Sequence, residues 1–260
     1  MSKLKYVQTL GVITLNFLEG IGRLVIFLFD ILSKFFIAPV YVKKIFHQLV
    51  IIGFYSLPVI GLTAVFTGAV LALQTYTGFS RMHAESSIAS IIVISITREL
   101  GPVLAGLMLA GRVAGSVAAE IGAMKISEQV DALYTLNTDP IKFLIIPKII
   151  AGTIVLPMLV LISDIIGIFG GYLIAIYKIG FEYNSYINST IKFLEYQDVI
   201  SGLIKAAVFG FIVTFIGCFY GFKTSGGASG VGISATQSVV TSSILILLSN
   251  YIITGLLFVK

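Results

Sequence analysis

The sequence predicts an all-α integral membrane protein with five transmembrane helices and an N-terminal helix that lies along the membrane surface. Hydrophobic residues make up 57% of the 260 positions and charged residues only 11%, whereas soluble domains average about 25% charged. The mean hydropathy is +1.04. Residues 45–80 contain no charged side chain. This run is longer than the roughly 20 apolar residues that a helix needs to cross a bilayer. These observations exclude a soluble domain.

The first 47 residues combine short apolar runs with spaced charges. They carry six basic and two acidic residues, and the apolar runs between them are too short to cross a bilayer. Charge spaced along an apolar helix predicts an amphipathic helix in the headgroup plane, with its lysines turned to water. A solvent-facing helix packed on the transmembrane helices is the alternative. We divide the single domain 1–260 into this interfacial region (1–47) and a transmembrane region (48–260).

Five apolar stretches predict the transmembrane helices. Their approximate bounds are 52–76, 87–112, 148–176, 200–220 and 238–258. The Gly/Ser-rich stretch 223–238 predicts a flexible connection before the last helix. Because the chain contains no G-x-x-x-x-G-K-[ST] sequence, these glycines are not a nucleotide-binding loop.

A charged segment separates the second and third predicted transmembrane helices. Ser127 is expected to cap a short amphipathic helix whose apolar residues recur at helical spacing: Ile126, Val130, Leu133 and Leu136. Asp139-Pro140 is typical of a helix cap followed by a proline in the first turn, and predicts the start of the next helix. A helix this short is not stable alone, so we expect it to pack against another surface.

Basic residues are distributed unequally between the two sides of the predicted membrane. With the N-terminus inside, eleven lie on the cytoplasmic side and five on the other, namely Arg81, Lys178, Lys192, Lys205 and Lys260. The positive-inside rule therefore places the N-terminus and residues 112–148 in the cytoplasm and the C-terminus outside. The net charge of +5 is then expected beside lipid headgroups rather than on nucleic acid.

Residues for metal binding or hydrolytic catalysis are sparse. The only cysteine, Cys218, lies in an apolar run, and His47 and His83 have no partner at metal-ligand spacing. We therefore expect no metal site, no cofactor and no enzymatic activity. If ATP hydrolysis drives transport, another chain must bind the nucleotide.

Residues 98–133 combine charge and small side chains inside an apolar run. Arg98 and Glu99 have 12 uncharged residues on either side, and ionisable residues at such positions usually face protein or a wet cavity. On a helix, a row of small residues at every fourth position is a flat stripe that lets another backbone approach. Two such rows occur: Gly106, Ala110, Ala114, Ala118 and Gly122, and Gly111, Gly115, Ala119 and Ala123.

Arg98 and Glu99 support two interpretations. Adjacent residues on a helix point about 100° apart, so one could line a cavity while the other anchors a neighbouring helix. The planar guanidinium of Arg98 suits an anionic phosphate headgroup. The alternative is an ion-pair network that ties transmembrane helices together. Asp164, the only acidic residue in the third predicted helix, is expected to be structural.

The same stretch closely resembles the signature of the MlaE family, the permease subunits of lipid-transporting ABC systems. The resemblance is long and ungapped, and it extends more weakly towards both ends of the chain. The matching residues are Arg98-Glu99-Leu100-Gly101-Pro102-Val103, Ala110-Gly111-Arg112, Ala119-Glu120-Ile121-Gly122, Met124 and Glu128-Gln129. The family commonly has threonine where this chain has Ser127.

This resemblance implies a homodimer whose transmembrane helices enclose an outward-facing lipid cavity. The implied partners are a cytosolic ABC ATPase, a periplasmic MCE-domain protein and a STAS-domain protein. By the same resemblance, the lipid site is flanked by Arg98, Glu99, Leu73, Gln74 and Tyr76. The implied ATPase-coupling element comprises Glu120, Ile121, Gly122, Met124, Lys125, Ser127, Glu128 and Gln129.

Three functions compete at this point. The first is an ABC permease subunit that moves phospholipid between the bacterial inner membrane and the outer envelope, and so affects outer-membrane lipid asymmetry. The second is an ion- or proton-coupled secondary transporter that uses Arg98, Glu99 and Asp164. Such transporters often have two related halves, and no second copy of the small-residue rows occurs here. The third is a structural scaffold, which would not need the charged cytoplasmic segment.

Overall fold

The computed structural model describes residues 2–35, 37, 39, 41–79 and 88–258, with side chains from residue 11 onward except residue 17. The predictions for Arg81, His83 and Lys260 lie outside these residues. All regular structure in the described part is helical, which confirms the predicted all-α class. The helices are α1 (Ser2–Phe35), α2 (Val42–Gly53), α3 (Leu57–Phe79), α4 (Ile88–Ser95), α5 (Gly101–Leu109), α6 (Gly115–Ile126), α7 (Gln129–Thr135), α8 (Ile146–Ile174), α9 (Tyr183–Phe193), α10 (Tyr196–Lys223) and α11 (Gly227–Phe258).

Several of these helices follow one another without a break. A short 3₁₀ turn joins α2 to α3, and π-turns join α4 to α5 and α5 to α6. Each π-turn fits one extra residue into the helix, and such turns are frequent at functional sites. Long helical units result, with the apolar bounds Val42–Phe79, Ile88–Ile126, Ile141–Ile179, Tyr196–Lys223 and Gly227–Phe258. Each covers one of the five predicted transmembrane stretches, apart from residue 87, which lies outside the described residues.

The N-terminal helix α1 is a sixth candidate, because Gly11–Phe35 is also long and apolar enough to cross a bilayer. Its described contacts lie at one end of the bundle. Phe27 packs on three rings of the last third of α10, those of Phe215, Phe219 and Phe222, with centroids 5.7–6.1 Å away. Lys34 forms an ion pair of 2.6 Å with Asp139. The interfacial placement of α1 stays a prediction.

Most of the Gly/Ser-rich stretch 223–238 belongs to the last helix, so the prediction of a flexible connection over this whole stretch was wrong. Helix α11 begins at Gly227, directly after the left-handed Gly226 (φ +86°). Small residues at every fourth position form its buried face: Gly230, Ser234, Ser238 and Ser242. Close packing along this stripe overrides the weak helix propensity of glycine and serine.

The predicted cap of the charged segment was also wrong. Ser127 ends α6 instead of starting α7, and its hydroxyl donates to the Ala123 carbonyl at 2.9 Å. Glu128 precedes α7 in the left-handed region (φ 58°) and makes no side-chain cap. The second expected cap is confirmed, since the Asp139 carboxylate accepts the Ile141 amide at 2.9 Å.

Helix α8 lies at the centre of the bundle and packs against α3 and α10. Glycines bring the backbones together at both contacts. A Cβ added to Gly68 of α3 would lie 1.8 Å from the Gly167 carbonyl oxygen, and one on Gly210 of α10 would lie 2.2 Å from that of Gly152. Because no side chain fits between them, α8 holds α3 and α10 in fixed positions on either side.

Candidate functional site

The charged pair of the second transmembrane unit binds two buried charges of α10. Arg98 and Glu99 lie in the π-turn Ile96–Leu100, between α4 and α5. The Arg98 Nε donates to Asp198 Oδ1 at 2.5 Å, and Lys205 Nζ donates to Glu99 Oε1 at 2.7 Å. The side chains of Asp198 and Lys205 are 0% exposed, whereas those of Arg98 and Glu99 are 32% and 38% exposed. The spacing of seven residues places Asp198 and Lys205 on one face of α10, two turns apart.

Glu99 also binds the last helix. Asn250 Nδ2 and the Thr254 hydroxyl each donate to its carboxylate at 3.0 Å. Lys205 donates further to the Arg98 carbonyl at 2.9 Å. A buried ammonium is tolerated only when its donors are paired in this way. The geometry is that of an ion-pair network that ties the second unit to α10 and α11, one of the two interpretations open from the sequence.

Sequence reasoning missed the partners in this network: Asp198, Lys205, Asn250 and Thr254. A signal was present, because Lys205 lies inside a predicted transmembrane stretch and Asp198 at its edge. Their signs are opposite to those of Glu99 and Arg98. Counting Lys205 as a charge of the outer surface concealed this complementarity.

Beside the network lies a small cavity at the same end of α10, and Arg98 contacts one of its lining residues. Its guanidinium carbon lies 4.7 Å from the ring centroid of Phe258. Phe258 also lines a cavity of about 180 Å³ together with Tyr196, Gln197 and Ser201. Pockets for drug-sized ligands measure roughly 300–1,000 Å³. The space therefore fits part of a lipid, such as a headgroup, rather than a whole phospholipid.

The other predicted lipid residues lie on α3. Tyr76 packs against Phe181, with ring centroids 6.2 Å apart. Leu73 is half-buried and Gln74 is exposed. Arg98 and Glu99 bind α10 and α11, whereas the ring contact of Tyr76 is with Phe181, in the connection before α9.

Asp164 is buried on α8 against the second transmembrane unit. Asp164 is 7% exposed, and its Oδ1 has no hydrogen-bond partner among the described residues. A Cβ added to Gly101 would lie 1.9 Å from this oxygen. The carboxyl group thus fills the space where residue 101 would otherwise carry a side chain.

The two rows of small residues behave differently. The first row is buried against α10, and glycines of α10 lie opposite its alanines. A Cβ added to Gly217 would lie 2.9 Å from the Ala114 carbonyl oxygen, and one added to Gly221 would lie 3.0 Å from the Ala118 carbonyl oxygen. In the second row, Gly111 is exposed and has open space around it. The expected close backbone approach is confirmed for the first row.

The predicted coupling residues divide into an anchored and an exposed part. Glu120 pairs with the buried Lys148 at 2.7 Å, and Lys125 Nζ donates to the Phe222 carbonyl at 2.5 Å. Ile121 and Gly122 are buried, and Met124 is half-buried. Ser127, Glu128 and Gln129 are exposed. The helix end is therefore fixed to α8 and α10, while the turn into α7 is open to a partner.

Metal-ligating side chains do not cluster in the described part of the chain. No group of three or more His, Cys, Asp or Glu side chains there could hold a metal ion. Cys218 is buried and forms no disulfide.

Known proteins are similar to this chain over most of its length. The family model Permease MlaE matches residues 45–256. A probable ABC transporter permease protein of Rickettsia typhi is 56% identical over 255 residues, which are 98% of each chain. A probable ABC transporter permease protein of Synechocystis sp. is 40% identical over 83% of this chain and 82% of its own. The Arabidopsis thaliana protein TRIGALACTOSYLDIACYLGLYCEROL 1, chloroplastic, is 36% identical over 83% of this chain and 62% of its own. This chain therefore belongs to the MlaE family of ABC transporter permeases.

Proposed function

We propose that this chain is the permease subunit of a system that moves phospholipid between the bacterial inner membrane and the outer envelope. The observation that carries the proposal is the family match across residues 45–256. The similar chloroplast protein, whose name contains that of a galactolipid, supports a lipid substrate. ATP hydrolysis takes place on a separate ABC ATPase, and the chain itself is a single non-enzymatic domain.

The lipid site lies beside the Arg98 network. Asp198 accepts a hydrogen bond from the Nε of Arg98 and orients its guanidinium, and the Arg98 side chain is still 32% exposed. The exposed part can bind an anionic headgroup, because arginine presents several donors in one plane. Glu99 flanks the same lipid site, and its hydrogen bonds to Lys205 of α10 and Asn250 of α11 position this region. Leu73, Gln74 and Tyr76 contribute apolar and polar surface from α3.

The ATPase binds at the turn between α6 and α7. Two features support this placement. The turn exposes Ser127, Glu128 and Gln129, and Glu128 holds a left-handed backbone (φ 58°) that a non-glycine residue rarely adopts. Through the Glu120–Lys148 pair and the Lys125 hydrogen bond, movement at this turn reaches α8 and α10.

Two copies of the chain form the transport cavity, with an MCE-domain protein on the periplasmic side and a STAS-domain protein as a further partner. Helix α11 supports a dimer contact, since only five of its residues are buried within one copy: Gly230, Ser234, Ser238, Ser242 and Ile246. The N-terminus and α7 lie in the cytoplasm and the C-terminus outside, with α1 at the inner membrane surface.

A proton-coupled transporter is the second candidate, and the unpartnered Oδ1 of Asp164 is the observation that favours it. The other two residues invoked for that function, Arg98 and Glu99, are paired with Asp198 and Lys205. Paired charges of this kind have a structural role that needs no coupling ion. The ABC permease is therefore the better-supported function.

The Glu128→Lys variant tests the proposed coupling surface. Losing a partnered interface charge typically costs about 2–5 kcal/mol, so we expect the ATPase to dissociate while the permease keeps its lipid. The measurement is an affinity pull-down of the ATPase, together with the lipid content of the purified permease.

Glu182→Lys is the matched control, because Glu182 is an exposed glutamate before α9, at the opposite end of α10. It should leave ATPase binding unchanged. If Glu128→Lys keeps the ATPase and loses the lipid, the turn belongs to the substrate path and the coupling assignment is wrong.

A further inference from the structure

A basic pocket opens near the Asp139 turn, away from the Arg98 network. It lies between the end of α1, the start of α2 and the start of α8, and its volume is about 130 Å³. Its lining combines two lysines and a tyrosine with an apolar floor: Lys34, Lys142, Tyr41, Ile45, Ile146 and Ile150. In a membrane protein, lysine ammonium groups at the polar surface can contact a charged lipid headgroup, while neighbouring isoleucines contact the hydrocarbon of its acyl chains.

The charge around this pocket is positive. Lys34 is paired with Asp139 at 2.6 Å, and the same carboxylate caps the Ile141 amide. Lys142 lines the pocket, and Lys43 and Lys44 follow Tyr41 on α2. The Lys44 ammonium lies 3.1 Å from the ring centroid of Phe143, next to Lys142 in sequence. The lysines in this region therefore outnumber the two nearby carboxylates, Asp139 and Glu120, the second of which interacts with Lys44.

We propose that this pocket binds an anionic phospholipid of the surrounding bilayer as a resident lipid. The phosphate diester lies at Lys34 and Lys142, and the start of an acyl chain lies against Ile45, Ile146 and Ile150. Basic pockets between transmembrane helices are suited to such headgroups, and each nearby lysine strengthens binding to an anionic lipid roughly fivefold. The site differs from the proposed transport site, which lies at the other end of α10.

The occupied pocket joins α1 to α2 and α8, which already pack against each other. Lys34 belongs to α1, Ile45 to α2, and Ile146 and Ile150 to α8. A lipid that contacts all of them holds α1 against the turn that starts at Asp139. That turn follows α7 directly, so the resident lipid supports the part of the chain at which the ATPase is proposed to bind.

Native mass spectrometry of the purified full-length chain tests this site. The protein is titrated in detergent with phosphatidylglycerol and, separately, with phosphatidylcholine. Wild-type protein should prefer phosphatidylglycerol. The Lys34→Gln/Lys142→Gln double variant should bind it about thirtyfold more weakly, with phosphatidylcholine binding unchanged. Lys142→Gln alone leaves the Lys34–Asp139 pair intact and should lose about fivefold, which keeps the test open if the double variant does not purify.

Two controls separate this pocket from general charge attraction. Lys178→Gln/Lys192→Gln removes the same charge near the opposite end of the bundle and should leave the preference intact. Lys34→Arg/Lys142→Arg keeps the charge and should bind like wild type. An equal loss in both glutamine doubles, or an unchanged preference in Lys34→Gln/Lys142→Gln, would overturn the proposal. Inorganic phosphate should not displace the lipid; displacement would indicate a soluble anion and reject the lipid assignment.

Discussion

At the scale of single residues, Gly101 is constrained by a side chain from another helix. The Asp164 Oδ1 occupies the position of its missing side chain, 1.9 Å from an added Cβ. An alanine must displace either the carboxyl group or the backbone, and overpacking of this kind costs about 1–3 kcal/mol. We therefore expect Gly101→Ala to lower the thermal midpoint of the purified protein.

Gly111→Ala is the control on the same transmembrane unit, because nothing lies within 4 Å of an added Cβ there. It should be neutral or slightly stabilising, since alanine favours a helix over glycine by about 1 kcal/mol. Removing the obstructing carboxyl in Gly101→Ala/Asp164→Ala should recover part of the loss. Equal midpoints for the two single variants would contradict the contact between Gly101 and Asp164.

The sequence identified which charged residues of the second transmembrane unit are important, but it did not identify the residues that pair with them. Arg98 and Glu99 stood out because charge is costly inside an apolar run. Their partners lie 100 and 106 residues away, and no local pattern relates such positions. The complementary signs of Asp198 and Lys205 were visible, but which carboxylate takes which cation depends on how α10 packs.

At the scale of elements, the first small-residue row determines how the second transmembrane unit packs on α10. Ala114 is 0% exposed, and the backbone of Gly217 lies against it. A leucine at this position would force the helices apart, at a cost of about 1–3 kcal/mol or more. We expect Ala114→Leu to abolish folding or activity, measured as yield of monodisperse protein and lipid transport in membranes.

Gly111→Leu makes a comparable increase in volume on the second row and serves as the control. Because Gly111 is exposed within one copy, the leucine has room there, and each copy of the variant should fold like the wild type. Normal yield and transport for Ala114→Leu would show that the row does not pack against a backbone.

The last helix shows where element prediction from composition fails. Glycine and serine usually indicate flexible connections, yet α11 includes Gly230, Ser234 and Ser238 on its buried face. The spacing of four residues was present in the sequence. It indicates a packed helix only when a partner with a matching surface lies alongside, and α10 and α6 provide that surface.

At the scale of the whole molecule, topology distinguishes five transmembrane helices from six. With α1 at the membrane surface, residues 3 and 131 share one side and residue 260 lies on the other. We expect impermeant maleimide to label Lys3→Cys and Asp131→Cys only from the cytoplasm, and Lys260→Cys only from outside. The variants are made in a Cys218→Ser background, so that no other thiol reacts.

Two outcomes would revise this arrangement. Labelling of positions 3 and 131 from opposite sides would mean that α1 crosses the membrane, as the length and composition of Gly11–Phe35 allow. Labelling of position 260 only from the cytoplasm would contradict the five-helix arrangement altogether. The charge asymmetry behind the prediction survives the loss of Lys205 from the outer group, since that lysine is buried against Glu99.

The sequence by itself determined that this is a helical membrane protein, where its five main apolar stretches lie, and to which family it belongs. Burial of long uncharged runs in a bilayer is a property of composition, and it needs no knowledge of neighbours. Only the tertiary structure decided the partners of Arg98 and Glu99, the contact between Asp164 and Gly101, and the helical start of α11. Each of these depends on which surfaces of distant helices meet, and close packing and ion pairing act only between groups that the fold has already brought together.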